Sequence, residues 1–331
     1  MVKIKAKKGV FNPFNTCCVL ALVFSMLACT SDPPPKRKIS SAKPSFKLVK
    51  TPIADPDSVF EFVRKQVDFG PRVPNSTAHK LCGDWLVKKL KSYDFEVIEQ
   101  RGTQIAHDQK KLFYRNVIGR FGLEKEKRIL LTAHWDTRPW ADQDVERSDE
   151  PIDGANDAGS GVAVILEVAR LLKTQMPAIG LDVVLFDIED YGQSNESFCY
   201  GSQIWSKDTR LKGPQPKYGI NLDMVGDANA VFMYEGYSQD YARPVLDRVW
   251  NIAKNMGYGR YFTSIQDGMI TDDHYYVNQA GIPCINIIHR EPSTGSFVHT
   301  WHTHNDNLDN ISPTTLKVVT EVILQTIYRE K

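Results

Sequence analysis

Charge of one sign is what this chain lacks most plainly. Lys and Arg number 41 against 40 Asp and Glu, a formal net charge of +1 over 331 residues. No bulk field therefore draws the chain to nucleic acid. Cysteine is also scarce. Of six, Cys17, Cys18 and Cys29 fall in the N-terminal segment, leaving Cys82, Cys199 and Cys284. These are odd in number and lack metal-site spacing. Cys82 lies in a helical pattern and Cys284 in an apolar strand, so each reads as a buried structural thiol. The apolar stretch at residues 19–28 is too short to span a bilayer as a permanent helix. No internal repeat is present, and no linker divides the chain after Asp57.

The first segment has another reading. Lys3, Lys5, Lys7 and Lys8 precede the apolar stretch, and Leu27-Ala28-Cys29 closes it. A basic start, a short apolar core and small residues before a cleavage point describe a secretory signal. Leu-Ala-Cys resembles a bacterial lipobox, so residues 1–29 are expected to be a lipoprotein signal peptide. An ordinary signal with an incidental cysteine is the alternative. Residues 30–54, rich in Pro, Lys and Ser, read as a flexible tether. The expectation is an exported lipoprotein in the periplasm or at the outer membrane, lipid-anchored through Cys29. Residues 55–331 then form the catalytic domain.

Periodicity gives the architecture. Helices are expected from Asp57-Ser58, carrying Val59, Phe62, Val63 and Val67, and from Ser76-Thr77, carrying Leu81, Trp85, Leu86 and Leu90. Residues 95–100 and 114–120 read as antiparallel strands joined by a turn at 107–111. The apolar runs at 129–133 and 183–186 flank a helix with Val162, Ile165, Leu166, Ala169 and Leu172 in register. A strand at 218–222, helices at 241–256 and 272–279, a strand at 283–288 and a last helix from Ser312-Pro313 complete the chain. The fold class expected is α/β: a single domain with a central mixed twisted sheet and helices on both faces.

Polar residues gather where the strands end. His134 and Asp136 follow the first apolar run, Asp187, Glu189 and Asp190 the second, and Asp223 the third; Asp157 sits in a Gly-rich loop. Ligands of such sheets bind at the carboxyl ends of the strands, and so many carboxylates at one edge call for a cation. Zinc accepts imidazole and carboxylate ligands and keeps an open position in catalytic sites. Taken singly, Asp157 could cap a helix, Glu189-Asp190 could be a solvated loop, and the stretch at 299–307 a polar surface. His302 or His304 could supply the late ligand.

In this order, His-x-Asp, Asp157, an acidic pair, Leu-Asp-Met and a late His resemble the zinc aminopeptidase superfamily over about residues 60–330. Asp272-Asp273-His274 and Trp301-His302-Thr303 are more similar to its zinc-dependent glutaminyl cyclases, as are Phe186-Asp187 and Tyr200-Gly201-Ser202. That resemblance implies one zinc per chain held by Asp157, Asp190 and His302. It implies Glu189 as general base and acid, Asp223 and Asp273 as an acidic hydrogen-bond network beside it, and Trp301 as a pocket wall. His134 and Asp136 would stand behind the ligands, although in a two-zinc aminopeptidase His134 and Asp223 would hold a second metal. Substrates would be peptides or proteins with N-terminal glutamine, and a monomer is expected. The chain departs from the animal cyclases in three places. It has Glu189-Asp190 where they carry Glu-Glu, Ala133 where they place a half-cystine, and Phe198 near a Trp of theirs. A bacterial branch fits these differences.

Overall fold

The apolar runs at 129–133 and 183–186 lie side by side in the computed structural model, which describes residues 46–208 and 213–331. The expected signal peptide, its Cys29 and residues 30–45 lie outside the described residues. The strands are β1 (Glu96–Ile105), β2 (Lys111–Phe121), β3 (Arg128–His134), β4 (Gly180–Phe186), β5 (Gly219–Asp223), β6 (Phe232–Tyr234), β7 (Phe262–Gln266) and β8 (Cys284–Ile288). Six form one sheet in the order β1-β2-β4-β3-β5-β8, and β6 and β7 pair separately. The first two are an antiparallel hairpin, β2 is antiparallel to β4, and β4, β3, β5 and β8 run parallel. All four parallel strands therefore end at one edge, with His134 opposite Phe186 and Asp223 opposite Ile288.

Alternation along each strand divides the core. Ile129, Leu131, Val183, Leu185, Ile220 and Ile285 face one side, where they pack against α1 (Pro56–Val67), α3 (Gly159–Leu172), α5 (Gly236–Asn255) and α7 (Pro313–Arg329). Leu130, Val184 and Phe186 face the other, against Trp205 of α4 (Tyr200–Lys207) and Val277 of α6 (Asp273–Gln279). Parallel strands covered on both faces must be apolar throughout, which is why β3 and β4 read as unbroken runs. The expected α/β class, mixed sheet and two helical faces are all present. Cys82, Cys199 and Cys284 are free and buried.

Local details differ from the sequence reading. Asp55, not Asp57-Ser58, caps α1: its carboxylate accepts from Asp57 N at 3.1 Å, with Pro56 opening the helix. In α2 (Thr77–Ser92), Leu81 is half exposed while His79 and Cys82 turn inward. Helix α5 starts at Gly236 rather than 241, because Glu235 caps it and a non-helical Ala242 before Pro244 breaks its periodicity. Helix α4 and the strands β6 and β7, of 8, 3 and 5 residues, are too short to show a period. Residues 46–54, the end of the expected tether, lie along the body: Val49 exchanges hydrogen bonds with Gln325 at 3.2 and 2.7 Å, and Ala54 is buried. Among the described residues, no helix is long and apolar enough to cross a membrane.

Candidate active site

Four strand ends and three loops converge on one acidic cleft. Asp136, just past β3 and wholly buried, accepts the backbone N–H of Glu189 at 3.0 Å and of Asp190 at 3.2 Å. The end of β3 thus sets the acidic pair at the end of β4. Asp157 reaches the same point from the loop before α3. That loop is fixed by Asp306, whose carboxylate accepts Asn156 N at 2.7 Å and Asp157 N at 3.1 Å. Gly154 turns it with φ +60, where a Cβ would lie 2.3 Å from Thr137 Cγ2.

His302 completes the group. Its Nε2 lies 3.0 Å from Asp190 Oδ1 and 3.8 Å from Asp157 Oδ2. One ligand atom each from Asp157, Asp190 and His302 lies within 4.8 Å of the other two, and all three residues are buried. Asp190 Oδ2 is buried without a hydrogen-bond partner. Two carboxylates, one of them with an unpartnered oxygen, and an imidazole fit the donor set zinc takes. The other nitrogen of His302 faces Asp142 Oδ1 at 3.1 Å, and Arg138 donates to the far oxygen of Asp142 at 2.5 Å. Such outer carboxylates orient ligating histidines. His304, the alternative, turns away to Asp144 at 2.6 Å.

A second group overlaps the first. His134 Nε2 lies 2.8 Å from Asp157 Oδ1 and 3.4 Å from Asp223 Oδ1, and these three could also hold a cation. Its Nδ1 faces Asp136 at 3.6 Å and Glu189 at 3.8 Å. Glu189 is further tied to Cys199, which donates its N–H to the Glu189 carbonyl at 2.8 Å and its thiol to Oε1 at 3.1 Å. Asp272 lines the cleft, whereas Asp273 lies behind it with no exposure. Asp272 is pinned by Asn221 at 3.2 Å and Asn286 at 2.5 Å, and Thr132 anchors Asn221 at 2.7 Å.

Burial governs the protonation of the metal-free site. It pushes Glu189 well above the usual carboxylate range, with Asp190, Asp273 and Asp272 adding to the rise and His134 opposing it. Burial pushes Asp223 to about 7, helped by the Asp157 charge. It lifts Asp273 well up, and Asp272 adds to this. For His302, burial works against the charge, yet Asp190, Asp142 and Asp157 raise it to about 9.

The cleft measures about 330 Å³, and Phe198, Met224, Met269, Phe297 and Trp301 form its apolar surface. Trp301 stacks on His302 with centroids 3.7 Å apart. Ile188, Met224 and His302 hold positive φ of 51, 46 and 57, clustering backbone strain beside the acidic residues.

Of the residues singled out in the sequence, Asp157, Glu189, Asp190, Asp223, Trp301 and His302 line this cleft, His134, Asp136 and Asp273 are buried beside them, and His304 turns away. Missed were Asp142, Arg138, Cys199, Asp272, Asn221 and Asp306. Asp142 and Asp306 sit in irregular loops, and the site residues they hold, His302 and Asn156, lie 160 and 150 residues away, so no local pattern marks them. Asp272 carried a signal in Asp272-Asp273-His274, but nothing local told which Asp faces the cleft.

The model of Peptidase family M28 matches residues 116–327. A crystal structure of Bacteroides thetaiotaomicron glutaminyl cyclase bound to N-acetylhistamine is 45% identical, with TM-score 0.83, and covers 85% of this chain and 100% of its own. Glutaminyl-peptide cyclotransferase of Drosophila melanogaster is 23% identical over 319 residues, covering 83% of this chain and 86% of its own length. Aminopeptidase YwaD of Bacillus subtilis is 28% identical over 66% of this chain, which spans 46% of that protein's length.

Proposed function

The chain belongs to peptidase family M28, and we propose that within it the protein is a glutaminyl-peptide cyclotransferase acting on peptides or proteins with N-terminal glutamine. The observation that carries this reading is the position of Glu189. Its largely buried carboxyl, raised well above the usual carboxylate range, adjoins the Asp157–Asp190–His302 group in a small aromatic-walled cleft. The likeness to glutaminyl cyclases supports it.

The glutamine α-amine forms a bond to its own side-chain amide carbon, the bond from that carbon to the amide nitrogen breaks, and ammonia leaves. Both groups belong to one residue, so the cleft need only hold a ring-like pose. Trp301 supplies an apolar face for the glutamine stem. Glu189 takes the proton from the amine and delivers it to the departing nitrogen, work that suits a carboxyl raised toward neutrality. Asp190, Asp273 and Asp272 help to keep it raised by like-charge repulsion, and Asp223 borders the same cleft. Asp157, Asp190 and His302 would hold the zinc, which when bound would supply Lewis-acid polarisation at the amide oxygen. Asp136 fixes the positions of Glu189 and Asp190, and His134 occupies the space between Asp157 and Asp223.

One zinc per chain is part of the proposal. A second reading, a two-zinc aminopeptidase, draws on the His134–Asp157–Asp223 group. One experiment separates them: a peptide beginning Gln and one beginning Leu are each incubated with the zinc-loaded protein. Ammonia released from the first supports the cyclase. Free leucine from the second, with metal analysis near two zinc per chain, overturns it. Export as a monomeric lipoprotein anchored through Cys29 in the periplasm or at the outer membrane also stands as a proposal. Cys29→Ala should then leave the membrane fraction, and unchanged fractionation would reject the anchor.

A further inference from the structure

Resting on the cyclase reading, we infer that Arg290 is a positioning residue, holding the aromatic wall of the substrate pocket in place. The wall is a run of planar groups. The Arg290 guanidinium lies over the Phe297 ring at 4.4 Å, Phe297 meets Trp301 at 4.5 Å and 30°, and Trp301 stacks on His302 at 3.7 Å and 21°. Phe297 and Trp301 line the cleft from one side, Met269 and Ile270 from another.

Arg290 joins the two sides. It stands opposite Phe297 across an antiparallel bridge and donates to the Gly295 carbonyl within the same hairpin. It also faces Asp267 at 3.6 Å, in the loop that carries Met269. That loop is held in turn by Gly268 O, which accepts from Gly236 N at 2.9 Å, and by Ile270 N, which donates to Glu235 at 3.0 Å. The Arg290 side chain is 13% exposed and that of Asp267 is 5% exposed, so water screens their attraction little. A planar cation over a ring is stabilising and directional, and a flexible neutral chain cannot replace it. Phe297 and Trp301 also rest on the apolar cluster of Met224, Ile270, Ile288 and Val298, and Arg290 adds the charged, directional tie between the Phe297 ring and the Met269 loop. Without Arg290 the ring loses its cover, and Trp301 loses the neighbour that keeps it flat against His302.

The test uses Arg290→Met and, as a gentler cut of the same clamp, Asp267→Asn, each in the zinc-loaded full chain. With a peptide beginning Gln, KM should rise about fivefold or more while kcat stays within about twofold, since a misplaced wall weakens holding rather than chemistry. Acrylamide quenching of Trp301, read as the difference between each protein and its Trp301→Phe counterpart, should increase in both variants. Quenching equal to wild type in both overturns the proposal, whatever the kinetics. Unchanged KM in a folded variant overturns it too. If wild type itself releases no ammonia, the cyclase reading fails and the quenching comparison alone decides the clamp.

Discussion

Asp136 at the end of β3 accepts the backbone N–H of both Glu189 and Asp190, at 3.0 and 3.2 Å. One buried carboxylate therefore aligns a proposed proton shuttle and a proposed metal ligand with a single pair of bonds. Asp136 is also the second member of His-x-Asp, so the motif's spacing serves this bridge between neighbouring strands.

Asp136→Asn leaves only one acceptor oxygen and turns an NH2 group toward the other N–H. The loss is about 2–4 kcal/mol. Turnover of a peptide beginning Gln should drop about 30-fold or more, with lower zinc content after dialysis. Steady-state kinetics within about threefold of wild type would count against the bridge.

Glu189→Gln keeps shape and removes the base. Turnover should fall by about 100-fold to 10,000-fold, the range for lost general acid–base catalysis, while metal analysis reads the same zinc content as wild type. Retained turnover would reject Glu189 as the proton carrier.

Zinc affinity should rise with pH. The His302 proton, raised from 6.5 to about 9 by Asp190, Asp142 and Asp157, stabilises the metal-free fold. That contribution is fully present below pH 6.5 and is lost as pH climbs through 9. Zinc must displace this proton, so affinity measured by chelator competition should gain about tenfold per pH unit within that window. The chelated protein should show a falling Tm over the same range. A flat affinity profile would remove His302 from the ligand set.

At the opposite end of β3, Arg128 pairs with Asp182 at 2.7 Å and donates to the carbonyls of Phe121 at 2.9 Å and Gly122 at 2.7 Å. Arg128→Met leaves Asp182 and these carbonyls without their donor. Stability should fall by about 3–5 kcal/mol, measured by denaturant unfolding, with the active site unaltered in the folded fraction. A change under about 1 kcal/mol would show that water replaces the guanidinium.

Sequence by itself determined the class of fold and the chemistry at the strand ends. Apolar runs too continuous for a half-wet strand required burial on both faces, and polar residues placed after each run had to share one edge once the strands were parallel. Which carboxylates meet which histidine was decided only by the tertiary structure. His302 or His304, and Asp272 or Asp273, are alike in local pattern. Ties from Asp142 to His302, from Asp306 to the Asn156 backbone and from Asn221 to Asp272 chose between them, because contacts across such separations leave no trace in local spacing.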